Sequence, residues 1–312
     1  MNKNKKIVLG LLIISAIITF LMSVTNIFDI KNIQYNRKVA LIMDSVDDTD
    51  REELEKGILE EAEIRDIDLS VEYLSKPLDT EEQKCIISEK IKEGAGALVI
   101  LPTDPGEIRS WLEGQKITIP IVYLYGMPVN KRKSIAAGYN AENAGKELLE
   151  KIAEGDENNI LLIAGRPINE ETQIIVNVLG TGLSGRQIDI IEYSSLSEIP
   201  GKLESFAKGG TEAVLIGDSP RSVDAIQNYA RHYRDWERRI YSLGYNSVTL
   251  HSIEDGRING AIGWSDYEVG AGAIQSLSNL LRGFSYNYLV TVDEYYIDAQ
   301  NLYENKKVFP RK

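Results

Sequence analysis

Two stretches of the chain share one pattern, which constrains the fold more than any other feature. In residues 96–104 and 212–220 an apolar run rich in β-branched residues stops abruptly at Asp104 or Asp218, beside a proline or glycine. Such a run predicts a strand buried on both faces, as in a parallel sheet covered by helices. Ligands of open α/β sheets bind beyond the carboxyl ends of the strands. The repetition therefore predicts two similar lobes, with Asp104 and Asp218 marking the walls of a cleft.

The size and charge of the chain fit two globular domains. Its 312 residues, 43% of them apolar, suffice for two ordinary cores behind a short leader. The net charge of −12 comes without the Lys and Arg clusters that bind phosphate backbones, so nucleic acid is not expected as a partner. Cys85 is the single cysteine, which excludes an intramolecular disulfide and a multi-cysteine metal site. Its neighbours Ile86 and Ile87 predict a buried, inert thiol.

The amino-terminal segment differs in kind from the rest. Lys3, Lys5 and Lys6 precede residues 7–24, an uncharged apolar run that meets the length of about 20 residues needed to span a bilayer. No clear cleavage site follows the run, and no cysteine that could carry a lipid anchor. Residues 1–28 are therefore predicted to be an uncleaved signal-anchor, with a cleaved signal as the alternative. The lysines place the amino terminus in the cytoplasm and the rest of the chain outside the cell membrane.

After a linker at residues 29–38, strands and helices alternate along the chain. The alternation predicts parallel strands joined by right-handed crossover helices, and so an α/β fold of two doubly wound, Rossmann-like lobes within residues 39–312. The tail after residue 258 is too small for a third domain and is expected to return to the first lobe, so that three chain segments form the hinge. The predicted limits are residues 39–138 and 265–290 for lobe one, and 139–264 and 291–302 for lobe two.

The chain carries no motif that predicts catalysis. Residues 180–185 match G-x-G-x-x-G, but they follow a predicted helix and precede a predicted strand, the reverse of the order that a dinucleotide site needs. Helix termination and a tight turn explain these glycines. The phosphate-loop, H-E-x-x-H and G-x-S-x-G motifs are absent from the sequence. We expect no enzymatic activity, no cofactor, no catalytic residue and no metal site.

Several segments resemble the type I periplasmic sugar-binding proteins, the family that includes the ribose-binding protein and LacI-like ligand-binding domains. LGYN at residues 243–246, IEDGRINGAI at 253–262 and DYEVG at 266–270 resemble the family's Gly-Phe-Asp turn, its Ile-x-x-Gly lead-in and the start of its next helix. YNAENAG at residues 139–145 is similar to the first hinge crossing, and residues 39–57 resemble the first strand and helix. The order and spacing of these segments carry the resemblance from residue 38 onward.

The resemblance implies a two-lobed receptor that closes over a small ligand, usually a monosaccharide. Asp104 matches a position that accepts a sugar hydroxyl, Asp218 lies near an Asn-Asp pair of the second lobe, and Asn246 replaces the Asp of Gly-Phe-Asp. Carboxylates and amides suit this task because each can bind adjacent hydroxyls. Asn177 stands where the family usually has Arg, and Trp264 where it usually has Gln. These departures leave the class of ligand open.

Each candidate also has a structural interpretation. Asp104 and Asp218 could instead cap the helices that follow them. Trp264 could stack on a sugar ring or could pack in the hinge. In the loop after the first strand, Asp48 and Arg51 are candidates, although the acidic residues there are typical of a helix amino terminus.

Three further candidates lie at predicted strand ends or helix starts. They are Tyr125, Arg166 and Gln173.

Together these features predict a membrane-anchored, extracytoplasmic solute-binding protein that captures or senses a small polar ligand, expected to be a carbohydrate. An ABC permease or a membrane sensor histidine kinase is the expected partner. The alternative is a signalling module that contacts a membrane histidine kinase through a cleft that is degenerate or does not bind sugar.

Overall fold

The structure is a computed structural model of the chain. It describes residues 37–44, 51–115, 117–126, 128, 133–207, 213–231 and 238–304. The predicted signal-anchor and Asp48 lie outside the described residues. Within them, no helix is both long enough and apolar enough to cross a membrane.

The first sheet carries the first of the two repeated apolar runs. It consists of β1 (Lys38–Met43), β2 (Asp68–Tyr73), β3 (Ala97–Ile100), β4 (Ile121–Leu124), β5 (Ser134–Tyr139) and β11 (Leu289–Val292). The strand order is β11-β5-β4-β3-β1-β2, and every pair is parallel. The central strands are buried along their length, as uninterrupted apolar runs require.

Helices cover both faces of this sheet. They are α1 (Glu52–Ile64), α2 (Thr80–Lys92), α3 (Pro105–Gly114) and α9 (Asp266–Leu281). The tail helix α9 packs on α1, β5 and β11, which confirms that the tail returns to lobe one. Two glycines allow α1 and α9 to meet backbone to backbone: a Cβ atom on Gly57 or Gly270 would lie closer than 3.0 Å to a carbonyl oxygen of the other helix.

The second sheet repeats the first in lobe two. Its strands are β6 (Asn159–Gly165), β7 (Gln187–Tyr193), β8 (Ala213–Gly217), β9 (Ile240–Leu243), β10 (Gly260–Gly263) and β12 (Tyr295–Ile297). The order is β12-β10-β9-β8-β6-β7, with only β12 antiparallel among these described strands.

The helices of lobe two are α4 (Ala141–Ala153), α5 (Glu170–Gly182), α6 (Ile199–Ala207), α7 (Pro220–Ala230) and α8 (Ser247–Glu254). Helices α4 and α5 pack together, and α7 contacts both α6 and α8. One hydrophobic cluster runs from the α1 and α9 side of lobe one into the α4 and α5 side of lobe two. The two-lobed α/β architecture predicted from the sequence is therefore confirmed.

Three segments carry the chain from one sheet to the other. The first joins β5 to α4, the second joins β10 to α9, and the third joins β11 to β12. The third crossing lies between Val292 and Tyr295, because β11 pairs with β5 up to Val292. The predicted limits after residues 138 and 290 fall one and two residues before the ends of β5 and β11, and the exact lobe limits stay a prediction.

Two local expectations have clear outcomes. The thiol of Cys85 is exposed, so the predicted burial is wrong. Helix α2 is marginally amphipathic, and Gln83 and Ile87 take its buried positions. The segment at residues 180–185 ends α5 and precedes β7, as predicted, and Gly185 has a φ of 93° that favours glycine.

Candidate functional site

The carboxyl ends of several strands meet at the hinge. Tyr125 follows β4, Tyr139 ends β5, and Trp264 follows β10. Across the cleft, the Arg109 guanidinium of α3 in lobe one lies 2.5 Å from a carboxylate oxygen of Glu170 at the start of α5 in lobe two. This ion pair joins the two lobes.

Three aromatic side chains form the centre of the site, and we call them the aromatic cluster: Tyr125, Tyr139 and Trp264. The rings of Tyr139 and Trp264 are stacked, with centroids 3.9 Å apart and planes inclined by 9°. The ring of Tyr125 lies 6.5 Å from that of Tyr139 at an angle of 51°. Trp264 therefore packs on a hinge strand, which supports the hinge-packing alternative for at least one face of its ring.

Asp266, the first residue of α9, holds this cluster in place. Its Oδ1 accepts a hydrogen bond from Trp264 Nε1 at 2.8 Å and a second from the hydroxyl of Tyr125. Burial raises the pKa of the Tyr125 hydroxyl well above its usual range, and the charge of Asp266 adds to the effect. Tyr125 therefore stays protonated and remains a hydrogen-bond donor.

We expect Asp266→Ala to lower the free energy of unfolding by about 2 kcal/mol, since it leaves two donors of the aromatic cluster without their acceptor. Asp266→Asn is the matched control, because it keeps the Oδ1 acceptor and should retain most of the stability. Urea denaturation of the full-length protein measures both variants. Equal losses for Ala and Asn would show that the charge of Asp266, rather than its acceptor oxygen, stabilises the site.

Asp218 is buried at the end of β8, and both of its carboxylate oxygens accept hydrogen bonds from residues of its own lobe. Its Oδ2 accepts from the backbone N–H of Gly165 at 2.6 Å, and its Oδ1 accepts from the Tyr193 hydroxyl at 2.9 Å. Burial raises the pKa of Asp218, although these hydrogen bonds oppose the shift. The capping alternative for Asp218 is wrong, because the neighbouring Ser219 caps α7 through Ser222.

Asp104 and Asn246 act as helix caps. The carboxylate of Asp104 accepts from the backbone N–H of Glu107 at 2.8 Å, at the start of α3. The amide oxygen of Asn246 accepts from the backbone N–H of Thr249 at 2.9 Å, at the start of α8. The capping alternative is confirmed for Asp104, and ligand contact by either side chain stays a prediction.

Arg51 is brought to the aromatic cluster. Its guanidinium carbon lies 5.4 Å from the centroid of the Tyr125 ring, within the range of a cation–π interaction. The residue occupies the position before α1, where its side chain makes no capping hydrogen bond. A positive charge therefore faces the centre of the site from lobe one.

Three predicted site residues lie away from the aromatic cluster. Arg166 is exposed and pairs with Glu192 at 2.5 Å. Gln173 and Asn177 are exposed on α5, one turn apart, with their side-chain amides 3.5 Å from each other. Their stripe of α5 faces solvent because Ile175 and Leu179 take the core positions. None of these three side chains is shown to contact the aromatic cluster, and their role in ligand binding stays a prediction.

Sequence reasoning missed several residues of the site. Glu171 is 8% exposed, and burial raises its pKa to about 7. Tyr139 was recognised only as part of a hinge crossing, and Asp266 only as the start of a helix. The available signal for Glu171 was a carboxylate one residue into a helix, which is typical of an ordinary helix amino terminus.

The site contains carboxylates but no metal-binding geometry. Among the described residues, no group of three or more His, Cys, Asp or Glu side chains is placed to hold a metal ion. Hydrogen-bonding carboxylates beside stacked aromatic rings can instead bind a small polar molecule with an apolar face.

Comparison with known proteins gives a family and a fold. A sequence profile described as periplasmic binding protein domain matches residues 39–284. A search of curated proteins gave no match.

Three solved structures show the same fold. GanP, a glucose-galactose binding protein from Geobacillus stearothermophilus, has a TM-score of 0.75 and 16% identity, covering 85% of this chain and 98% of its own. An ABC transporter solute-binding protein from Burkholderia graminis, in complex with D-arabinose, has a TM-score of 0.72 and 15% identity, covering 86% and 97%. A chain from the complex of the TorS sensor domain with TorT has a TM-score of 0.70 and 14% identity, covering 84% and 93%.

These identities show the fold alone, whereas the profile spans most of the chain and both of its lobes. The matched family and the first two of these structures are solute-binding proteins by description. The chain accordingly belongs to the periplasmic binding protein domain family.

Proposed function

We propose that this protein is an extracytoplasmic solute-binding protein that captures or senses a small polar ligand, a sugar or a sugar-like molecule, between its two lobes. Residues 1–28 would tether it to the cell membrane, with the lobes outside the cytoplasm. It performs no chemistry on the ligand and needs no cofactor. The ligand passes to an ABC permease or is reported to a membrane sensor.

The convergence of aromatic rings and carboxylates at the hinge carries this proposal. Three carboxylates, those of Glu171, Asp218 and Asp266, act electrostatically on the buried hydroxyl of Tyr139. Aromatic rings present a flat apolar surface, and carboxylates accept hydrogen bonds from hydroxyls. Glucose, galactose and D-arabinose, named for the two solved solute-binding proteins, are molecules of this kind.

Thermal unfolding of the full-length protein tests the proposal, with D-glucose, D-galactose, D-arabinose and myo-inositol as neutral probes and D-glucosamine and D-galactosamine as amino-sugar probes. A ligand at a concentration 100-fold above its Kd stabilises a protein by about 2.7 kcal/mol, which corresponds to about 5 °C in Tm. At least one neutral sugar or amino sugar should raise the Tm by this amount. Absence of a shift with all sugars, including amino sugars, at millimolar concentration would reject ligand capture.

The ion pair between the lobes offers a matched pair of variants. Arg109→Ala should weaken sugar binding roughly threefold, because it removes the contact with Glu170 that favours closure. Arg231→Ala should leave binding unchanged, since Arg231 is exposed at the end of α7. Titration calorimetry measures both. Equal affinities for the two variants would show that closure does not use this ion pair.

A second candidate function is a ligand-responsive signalling module that contacts a membrane histidine kinase. The similarity to a chain from the TorS sensor domain–TorT complex supports it. Crosslinking of the full-length protein in native membranes separates the two roles. A permease as the crosslinked partner would favour transport, and a histidine kinase would favour sensing.

A further inference from the structure

Among the carboxylates that the structure describes at the cleft centre, Glu171 is the one whose role the hinge and the lobes leave unexplained. Asp218 has both oxygens engaged, Asp266 binds Tyr125 and Trp264, and Glu170 pairs with Arg109. The Oε2 atom of Glu171 is buried and, within the described part of the chain, has no hydrogen-bond partner. A buried polar atom left without a partner is costly, so its retention calls for a function.

The position of Glu171 points to the aromatic cluster. A Cβ atom built on Gly138 would lie 3.3 Å from Oε1 of Glu171 and 3.6 Å from Cδ1 of Tyr125. The carboxylate and the Tyr125 ring therefore flank the same point of β5, one residue before Tyr139. The negative charge of Glu171 also acts on the Tyr139 hydroxyl and helps to raise its pKa.

The surrounding charges leave the site electronegative. Glu170, Glu171, Asp218 and Asp266 face the hinge or its mouth, whereas the described cations that act on them are Arg51 and Arg109. Arg109 is already paired with Glu170. Aromatic faces add to the attraction for a cation, since the face of a ring carries negative charge.

We propose that the ligand of this cleft carries a protonated amino group, as an amino sugar does, and that Glu171 is its counter-ion beside the faces of the aromatic cluster. This inference rests on the proposed function. Separation of Arg109 from Glu170 would open the cleft next to Glu171 and let the ligand enter, and closure would bury the ammonium group against the carboxylate. The hydroxyls of the same ligand remain free to bind other polar groups of the strand ends.

Electrostatics agree with this role. Burial raises the pKa of Glu171 to about 7. A hydrogen bond to its own backbone and the charge of Arg51 oppose the shift, and the charge of Glu170 adds to it. A bound cation favours the ionised carboxylate, so it lowers this pKa. Binding below pH 7 should therefore release a proton from the protein.

Titration calorimetry of the full-length protein with matched pairs of probes tests the inference. The pairs are D-glucosamine with D-glucose, D-galactosamine with D-galactose, and D-mannosamine with D-mannose. At least one amino sugar should bind ten or more times more tightly than its parent. Glu171→Gln should remove most of that difference, because glutamine keeps the shape of the side chain and loses its charge.

Glu147→Gln is the matched control for the substitution. The Oε2 atom of Glu147 is also buried without a partner among the described residues, but it lies on α4 beside Glu150 and Glu294. Amino-sugar affinity should be unchanged in this variant. Measurements at pH 6 in two buffers of different ionisation enthalpy should show proton release from the natural protein and none from Glu171→Gln.

The outcomes separate the inference from the proposed function. Equal or tighter binding of the parent sugars would overturn the inference and leave the proposed function standing. Unchanged amino-sugar affinity in Glu171→Gln would also overturn it, since the amine would then bind elsewhere. If no member of any pair binds, the inference fails together with sugar capture.

Discussion

Glu171→Gln is expected to raise the free energy of unfolding at pH 8 by about 3 kcal/mol and to change it little at pH 4. Burial raises the pKa of Glu171 from 4.5 to about 7. Between these two pH values the folded protein keeps a proton that the unfolded chain has released. The natural protein therefore loses stability as the pH rises from 4.5 to 7, and above pH 7 the whole loss remains. Glutamine carries no charge at any pH and avoids it.

Urea denaturation at pH 4, 6 and 8 without ligand measures this effect. Glu142→Gln is the control, because Glu142 is exposed and its pKa is lowered by Lys146. This variant should gain no stability as the pH rises. A difference between Glu171→Gln and the natural protein that is the same at all three pH values would contradict the raised pKa. The same result would weaken the electrostatic part of the argument for an amine ligand.

Gly270→Ala is expected to lower the free energy of unfolding by about 3 kcal/mol. The added Cβ would meet the carbonyl oxygen of Leu54 on α1 closer than 3.0 Å, which no side-chain rotation can relieve. Helix α9 would have to move away from α1. Because α9 begins with Asp266, such a movement would also disturb the anchor of the aromatic cluster, and ligand affinity should fall in the same variant.

Gly114→Ala is the matched control for this helix glycine. Gly114 is the last residue of α3, and a Cβ atom there would have no neighbour within 4 Å. Alanine has the higher helix propensity, so this variant should be at least as stable as the natural protein. Urea denaturation compares the two. A similar small effect at both positions would show that α1 and α9 do not meet as closely as the structure indicates.

Much of the fold could be predicted from local sequence. The apolar runs that end at Asp104 and Asp218 correspond to β3 and β8, which are buried along their lengths. The return of the tail to lobe one was also predictable, since one helix and its flanking strands cannot form a core of their own. The burial of Cys85 was mispredicted because its helix, α2, is only marginally amphipathic. The periodicity of a helix predicts which of its faces is buried only where apolar residues dominate one side.

The candidate site was less predictable. Three predicted candidates lie at or beside the aromatic cluster: Tyr125, Trp264 and Arg51. They come from strand ends and loops, where the sequence position alone indicates the cleft side of the sheet. Asn177 is a candidate by its correspondence with a family position on a helix, and Gln173 by its place near a helix start, but both face solvent. On a helix, an error of one or two positions in an alignment moves a side chain from the cleft side to the solvent side. Alignment with a family position therefore does not show which way a helical side chain faces unless the apolar periodicity agrees.

The sequence by itself determined the two lobes, the order of their strands and helices, and the possible cap at Asp104, because apolar periodicity and capping act over a few residues. Only the tertiary structure decided which polar groups meet at the hinge. Asp266 binds Tyr125 from 141 residues away, and Asp218 binds Gly165 and Tyr193 across 53 and 25 residues. The first contact is made by the packing of α9 against the first sheet, and the other two by the pairing of neighbouring strands in the second sheet. A carboxylate such as that of Glu171 is therefore typical of a solvated helix start in the sequence, and only the packing of the lobes buries it, with an Oε2 atom that has no hydrogen-bond partner among the described residues.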